Sequence, residues 1–267
     1  MIYCDAIVDL QSGDTGKGKV AHFLASNYDL VMRYNGGSNA GHTIYHNGEK
    51  LVTHQVPAGV FHGIQSLIGV GCVVNVQKLE AEISSLKSFN PRVLVDYRAH
   101  VVTDAHIEED SDETRIGTTG QGIGPCYRDK YARKGLQVKD LPKSLLFTVV
   151  DSLEVFKTSD RVLAEGAQGY KLDITWGDYP YVTSSGCTIG TVISSGIPPR
   201  KLSKVYGVMK AYETYIGSKE FTTPNHYFDS IASLGNEIGA TTGRPRQVNW
   251  VNLDELAVAI ELNGVTD

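Results

Sequence analysis

The chain has 267 residues and a formal net charge of −5. That length holds one large domain or two small ones, and the acidic balance argues against nonspecific binding to nucleic acid or to an anionic membrane surface. Four cysteines, Cys4, Cys72, Cys126 and Cys187, stand far apart with no Cys-x-x-Cys spacing; this disfavours a zinc site or a disulfide framework and fits reduced thiols in a cytoplasmic protein.

Met1 to Asp5 has neither the basic start nor the apolar stretch of a signal peptide, and no run approaches the length of a membrane span. Ile2 to Leu10 is short and apolar, as a central parallel strand is. Gly13-Asp14-Thr15-Gly16-Lys17-Gly18-Lys19 follows and opens a helix over Lys17–Ser26, with Val20, Phe23 and Leu24 as its apolar face. A strand, a glycine-rich turn and a helix place backbone N–H groups against phosphate. Lys17 and Lys19 add positive charge, and Asp14 offers a carboxylate suited to a magnesium ion or to general-base work. The spacing is not that of the common P-loop, because only two residues separate Gly13 from Gly16 and Gly18 follows Lys17.

Leu30 to Tyr34 reads as the next strand and runs into a second glycine-rich loop, Asn39-Ala40-Gly41-His42-Thr43. Both loops then sit at the C-terminal ends of parallel strands, where open α/β sheets bind ligands. His42 to Val56 reads as a hairpin turning at Asn47-Gly48. Ser66 to Val74 reads as a buried strand, Asn75 to Phe89 as an amphipathic helix capped by Asn75, and Arg92 to Tyr97 as a strand. Glu108 to Arg115 reads as a solvated acidic loop.

Ile116 to Pro125 carries four glycines and two threonines and can wrap an anion. Tyr127 to Gly135 carries four basic side chains, which suit either a solvated helix face or an anionic ligand. Leu141 to Lys157 reads as helix or loop. Arg161 to Glu165 is a strand entering Gly166-Ala167-Gln168-Gly169, and Val205 to Met209 is another. Ala240 to Arg246 is a compact Thr-Thr-Gly loop whose Arg244 and Arg246 suit bidentate carboxylate binding. Leu253 to Leu262 is a final helix with Leu253, Leu256, Ala257 and Ile260 inward. Alternating strands and helices give an α/β class with a mostly parallel central sheet.

Gly-Asp-x-Gly-Lys-Gly-Lys followed by Asn-Ala-Gly-His-Thr resembles the adenylosuccinate synthetase family, with further matches along almost the whole chain. The resemblance implies one catalytic domain over 1–267 that joins L-aspartate to C6 of a purine nucleotide, driven by a nucleoside triphosphate and Mg2+. By the same resemblance, Asp14 and His42 are catalytic, as base toward N1 and as acid at O6. Gly13, Thr15, Gly16, Lys17, Gly18, Gly41 and Thr43 bind the triphosphate, with Asp14 and the Gly41 carbonyl on the metal. Asn39, Thr118, Thr119, Gln168 and Thr183 contact the purine nucleotide. Arg133 reaches the nucleotide of a neighbouring subunit, which implies a homodimer. Thr241, Thr242, Arg244 and Arg246 bind aspartate.

Departures from the family pattern are Ser12 and Thr15 flanking Gly-Asp, Pro245 between the loop arginines, and a short segment between Gly135 and Arg161. The Thr-Lys-x-Asp motif that recognises guanine is absent from these 267 residues, so specificity for GTP is not implied. Several of these features, with Gly196-Ile197-Pro198, resemble the bacteriophage branch, which condenses aspartate with dGMP using ATP or dATP on the route to 2-aminoadenine DNA; the retained Asp14 runs against it. The expectation is therefore dGMP as acceptor in a host cytoplasm, with IMP as the alternative. A non-catalytic nucleotide-binding relative and a kinase or simple NTPase are the rivals from other classes.

Overall fold

The computed structural model describes residues 3–46, 48–113, 115–223, 225–239 and 243–267. In chain order, β1 (Tyr3–Asp9), α1 (Lys17–Ala25) and β2 (Leu30–Arg33) form the expected β-α-β unit, and β3 (His42–His46) and β4 (Glu49–Thr53) form the hairpin. Asn47, at the expected turn, lies outside the described residues. Then come β5 (Gln65–Ile68), β6 (Val73–Val74), α2 (Val76–Ser85), β7 (Val93–Asp96), β8 (His100–Val101), α3 (Asp104–Ser111) and α4 (Ile123–Tyr131). The second half holds β9 (Thr148–Val150), α5 (Ser152–Thr158), β10 (Arg161–Glu165), α6 (Ile189–Ser194), β11 (Leu202–Val208), β12 (Glu213–Tyr215), α7 (Tyr227–Gly235), β13 (Gln247–Asn249) and α8 (Leu253–Asn263).

Seven of these strands make one sheet in the order β11-β1-β10-β2-β5-β7-β9, and every pairing in it is parallel. Neighbouring β1 residues serve opposite faces. Ala6 packs with Met32, Leu67 and Val192, whereas Ile7 packs with Ala21, Val31 and Leu163. Burial on both faces is why the inner strands read as unbroken apolar runs. The C-terminal ends of β1, β2, β10 and β11 therefore open onto one edge, and the glycine loops lie there.

Several expectations shift. The run Ser66–Val74 splits into β5 and β6, because the chain turns at Gly69, whose carbonyl accepts from Cys72 N–H at 3.0 Å. β6 then pairs with β8 in a separate small sheet. The Asn75 cap is present, with its side chain accepting from Lys78 N–H, but the regular helix stops at Ser85 and a 3-10 turn covers Lys87–Phe89. Glu108 to Ser111 belongs to α3 rather than to a solvated loop, and its Asp110 is buried. The segment 141–157 holds an edge strand and the start of α5.

Two helix faces also differ from the pattern. In α1 the small residues Ala21 and Ala25 lie against the sheet, and Phe23 is 79% exposed. In α8 the inward residues are Leu256, Ala259, Leu262 and Asn263; Leu253, Ala257 and Ile260 face outward. Among the described residues no helix is long and apolar enough to cross a membrane.

Candidate active site

The loop after β1 is folded around one buried carboxylate. Asp9 Oδ1 accepts from the N–H groups of Gln11 at 2.9 Å and Gly13 at 3.3 Å. Its Oδ2 accepts from Thr15 Oγ1 at 2.5 Å and from Lys17 Nζ at 2.8 Å. With the loop so held, α1 begins after Gly16, which has φ 102 and no side-chain cap, so the first N–H groups of the helix remain available to an anion. Two close approaches demand glycine: a Cβ on Gly18 would stand 2.7 Å from His42 Cβ, and one on Gly169 would stand 2.3 Å from Gln11 O. The turn after β10 and the start of β3 thus press directly on the loop after β1.

His42 is held from behind. Its Nδ1 lies 2.6 Å from Glu165 Oε1, and Arg33 Nη1 lies 3.3 Å from the same oxygen. Glu165 Oε2 accepts from Ala58 N–H at 2.9 Å. Burial works against the Glu165 charge, but His42, Arg33 and the Ala58 N–H hold its carboxyl below the usual carboxylate range. Burial and the Arg33 charge bring His42 down to about 4 against the pull of Glu165. At neutral pH the ring is therefore neutral, donates from Nδ1 to Glu165, and keeps the Nε2 lone pair.

A cleft of about 790 Å³ unites the loops. Of the residues expected at the site, Gly13, Asp14, Thr15, Gly16, Lys17, Gly18, Asn39, Gly41, His42 and Thr43 line it. So do Thr118, Thr119, Gln168, Thr183, Arg244 and Arg246. The decisive junction joins residues 232 positions apart: Arg246 Nε donates to Asp14 Oδ2 at 2.8 Å. Arg244 donates from both terminal nitrogens to Gly117 O at 3.0 Å, which ties the arginine loop to the 116–124 loop. That glycine-rich loop is itself set by Asp110, which accepts from Thr118 Oγ1 at 2.9 Å and Gly122 N–H at 2.8 Å. Asp14 (φ 55) and Gln168 (φ 57) both adopt the left-handed backbone that non-glycine residues adopt chiefly at special positions.

Arg133 does not line the cleft; it stands exposed just past α4 with φ 62. Thr241 and Thr242 lie outside the described residues. No cluster of three metal-ligating side chains occurs among the described residues. The donors present nevertheless suit a hard cation carried in with phosphate. The Asp14 side chain is 32% exposed and Gly41 lines the same cleft, and such ions take one or two carboxylates plus phosphate oxygens.

A family model described as adenylosuccinate synthetase matches residues 6–154 and 143–267. The chain belongs to the adenylosuccinate synthetase family. It is 38% identical to the adenylosuccinate synthetase of Fusobacterium nucleatum, over 98% of this chain and 75% of that one. The enzyme of Chlorobium limicola is also 38% identical, over 98% and 74%. Among solved structures, the fully ligated adenylosuccinate synthetase from Plasmodium falciparum superposes with a TM-score of 0.90 at 32% identity, over 98% of this chain and 74% of that one. The cyanophage S-2L succinoaminodeoxyadenylate synthetase (PurZ), bound to dGMP and to dATP as an energy donor, gives 0.86 at 27% identity, over 99% and 83%.

As a member of the adenylosuccinate synthetase family, the chain is a carbon–nitrogen ligase that acts on a purine nucleotide and aspartate. The α/β fold with its parallel sheet is shared with both structural neighbours. Reading the sequence missed Asp9, Arg33, Glu165 and Asp110. A signal was present for three of them: β1, β2 and β10 are apolar strands that each end on a charged residue. A buried charge at the C-terminal end of a central strand is placed to organise a site.

Proposed function

We propose that the chain forms one catalytic domain joining L-aspartate to C6 of IMP at the expense of a nucleoside triphosphate. The observation that carries this reading is the Asp14–Arg246 contact, which brings the phosphate loop and the carboxylate-binding arginine into one cleft. O6 of the purine is a poor leaving group until it is phosphorylated. Asp14 takes the N1 proton as O6 attacks the γ-phosphorus and the bond to the nucleoside diphosphate breaks. Lys17 and the α1 N-terminus carry the phosphates. The aspartate amine then attacks C6, phosphate leaves with the former O6, and Arg246 with Arg244 holds the amino-acid carboxylates.

His42 rests neutral in the free cleft. Phosphate charge beside Nε2 raises its affinity for a proton, which it then shares with the departing phosphoryl oxygen. Asp14 and the Gly41 carbonyl are the residues that would hold Mg2+, which supplies charge neutralisation for the polyphosphate when bound. Arg133, exposed beyond α4, is suited to complete the nucleotide site of a second copy.

IMP stands first as acceptor because relatives of 38% identity bear the adenylosuccinate synthetase name, against 27% for the cyanophage enzyme. The expected dGMP activity stands second. It is supported by Ser12 and Thr15 and by the larger share of the cyanophage enzyme that this chain spans, 83% against 74% of the Plasmodium enzyme. The test is phosphate release with L-aspartate, Mg2+ and ATP or GTP, comparing IMP with dGMP and weighing the products. Turnover with IMP supports the first reading, and turnover with dGMP alone replaces it with the second. Aspartate-independent release at full rate would identify an NTPase and overturn both.

A further inference from the structure

One buried carboxylate in the cleft wall takes no part in the steps above. Glu237 follows Asn236, the left-handed residue that caps α7, and is 5% exposed. Three side chains converge on it, two from the connection between β11 and β12 and one from the residue before β13. Lys210 Nζ donates to its two oxygens at 2.8 and 3.0 Å, the Tyr212 hydroxyl donates at 2.5 Å, and Arg246 Nη1 donates at 2.7 Å. Burial alone would raise the Glu237 carboxyl, yet these donors hold it below the usual carboxylate range. The segment carrying Lys210 is in turn locked to the phosphate loop: Gln11 Oε1 accepts from Lys210 N–H at 2.9 Å, and Gln11 Nε2 donates to Lys210 O at 3.2 Å.

The geometry bears on Arg246. A guanidinium has five N–H donors in a rigid fork. Asp14 takes the Nε donor and Glu237 takes one at Nη1, so two fixed carboxylates set both the plane and the rotation of the group. Nη2 meets no carboxylate among the described residues, and its donors are left for a further one.

We propose that Glu237 is a positioning residue for the amino-acid end of the site, fixing Arg246 in the orientation that accepts the carboxylate of L-aspartate. It acts through Arg246 and touches neither substrate nor phosphate. This inference rests on the ligase reading above. Glu237→Gln keeps the size of the side chain, removes its charge, and turns an amide NH2 toward groups that are themselves donors.

The experiment measures KM for each substrate and kcat, alongside thermal melting. Glu237→Gln is expected to raise KM for L-aspartate roughly 10- to 100-fold, with the KM values of the purine nucleotide and the triphosphate within about threefold. Glu237→Asp, which keeps the charge, should fall between Gln and wild type. Tyr212→Phe, which removes only the neutral donor, should move the aspartate KM by less than about threefold. An unchanged aspartate KM in Glu237→Gln, or an equal rise in all three KM values, overturns the positioning role. If Glu237→Gln does not fold, Glu237→Asp carries the test: its carboxylate is withdrawn by one methylene, and an aspartate KM equal to wild type overturns the role. Wild-type protein without aspartate-dependent turnover overturns the ligase reading and this inference together, whereas an active wild type with insensitive variants overturns this inference alone.

Discussion

Glu165→Gln tests the support behind His42. Glu165 is fully buried, and its Oε1 serves His42 Nδ1 at 2.6 Å and Arg33 Nη1 at 3.3 Å while Oε2 serves the Ala58 N–H at 2.9 Å. A glutamine offers one oxygen in place of two and must turn its NH2 toward one of these donors. Arg33, 2% exposed, would then keep its charge without a carboxylate. Removing one partner of a buried pair costs about 3–5 kcal/mol. At roughly 2–4 °C per kcal/mol for a chain of this size, the melting temperature should fall by about 6–20 °C.

The rate should suffer more than the fold. Loss of the carboxylate that fixes a histidine tautomer lowers kcat by about 10⁴ in the Ser-His-Asp enzymes. A drop of at least about 10² is expected for Glu165→Gln, because the ring loses the acceptor that holds its proton on Nδ1. Single-turnover phosphate release and thermal unfolding, on the same preparation and below the variant's melting range, measure the two effects. A variant within about threefold of wild-type rate and about 1 kcal/mol of its stability would refute the reasoning. A pH corollary follows for the wild type. His42 is held at about 4 in the folded chain, below its ordinary 6.5, so the unfolded chain binds the proton first as pH falls. This group then removes about 3 kcal/mol of stability between pH 6.5 and 4 and contributes no slope above that range.

Three further outcomes are expected. Asp14→Asn should reduce turnover by at least about 10², the usual worth of a positioned base, with melting little changed; a near-normal rate would remove Asp14 from the chemistry. Asp9→Asn should destabilise the chain by about 3–5 kcal/mol and weaken triphosphate binding, because Lys17 is left buried without its carboxylate; calorimetry showing unchanged affinity would contradict this. The four cysteines are buried, with burial pushing Cys72 up to about 11, Cys126 up to about 12 and the other two higher still. Iodoacetamide at pH 8 should therefore leave the native thiols unmodified while labelling all four after denaturation, and rapid native labelling would refute their protection.

Much of the sheet could be read from the sequence because its strands are short, apolar and closed by glycine. The two glycine-rich loops of the cleft were legible for the same reason: glycine spacing is a local signal. What failed was whatever depended on distant partners. Asp110 looks like one more charge in an acidic run until Thr118 and Gly122 are seen to need it. Glu165 and Glu237 gain their meaning only from residues more than a hundred positions away or on other loops. The phase of α8 was misjudged because apolar residues occur nearly all round it, so the 3.6-residue pattern fits several faces. In α1 alanine rather than phenylalanine meets the sheet, since small side chains let helix and sheet approach closely.

Lys17 is paired with Asp9, and Arg246 is held between Asp14 and Glu237, so both cations are compensated before anything binds. They exert little pull on a naked polyphosphate in solution, since each cation is already compensated at contact distance. Attraction at longer range is then left to Lys19 and Lys50, which line the same cleft and form no ion pair among the described residues. A cleft arranged this way has its innermost charges tied to the protein's own carboxylates, which hold its walls in place before a ligand enters.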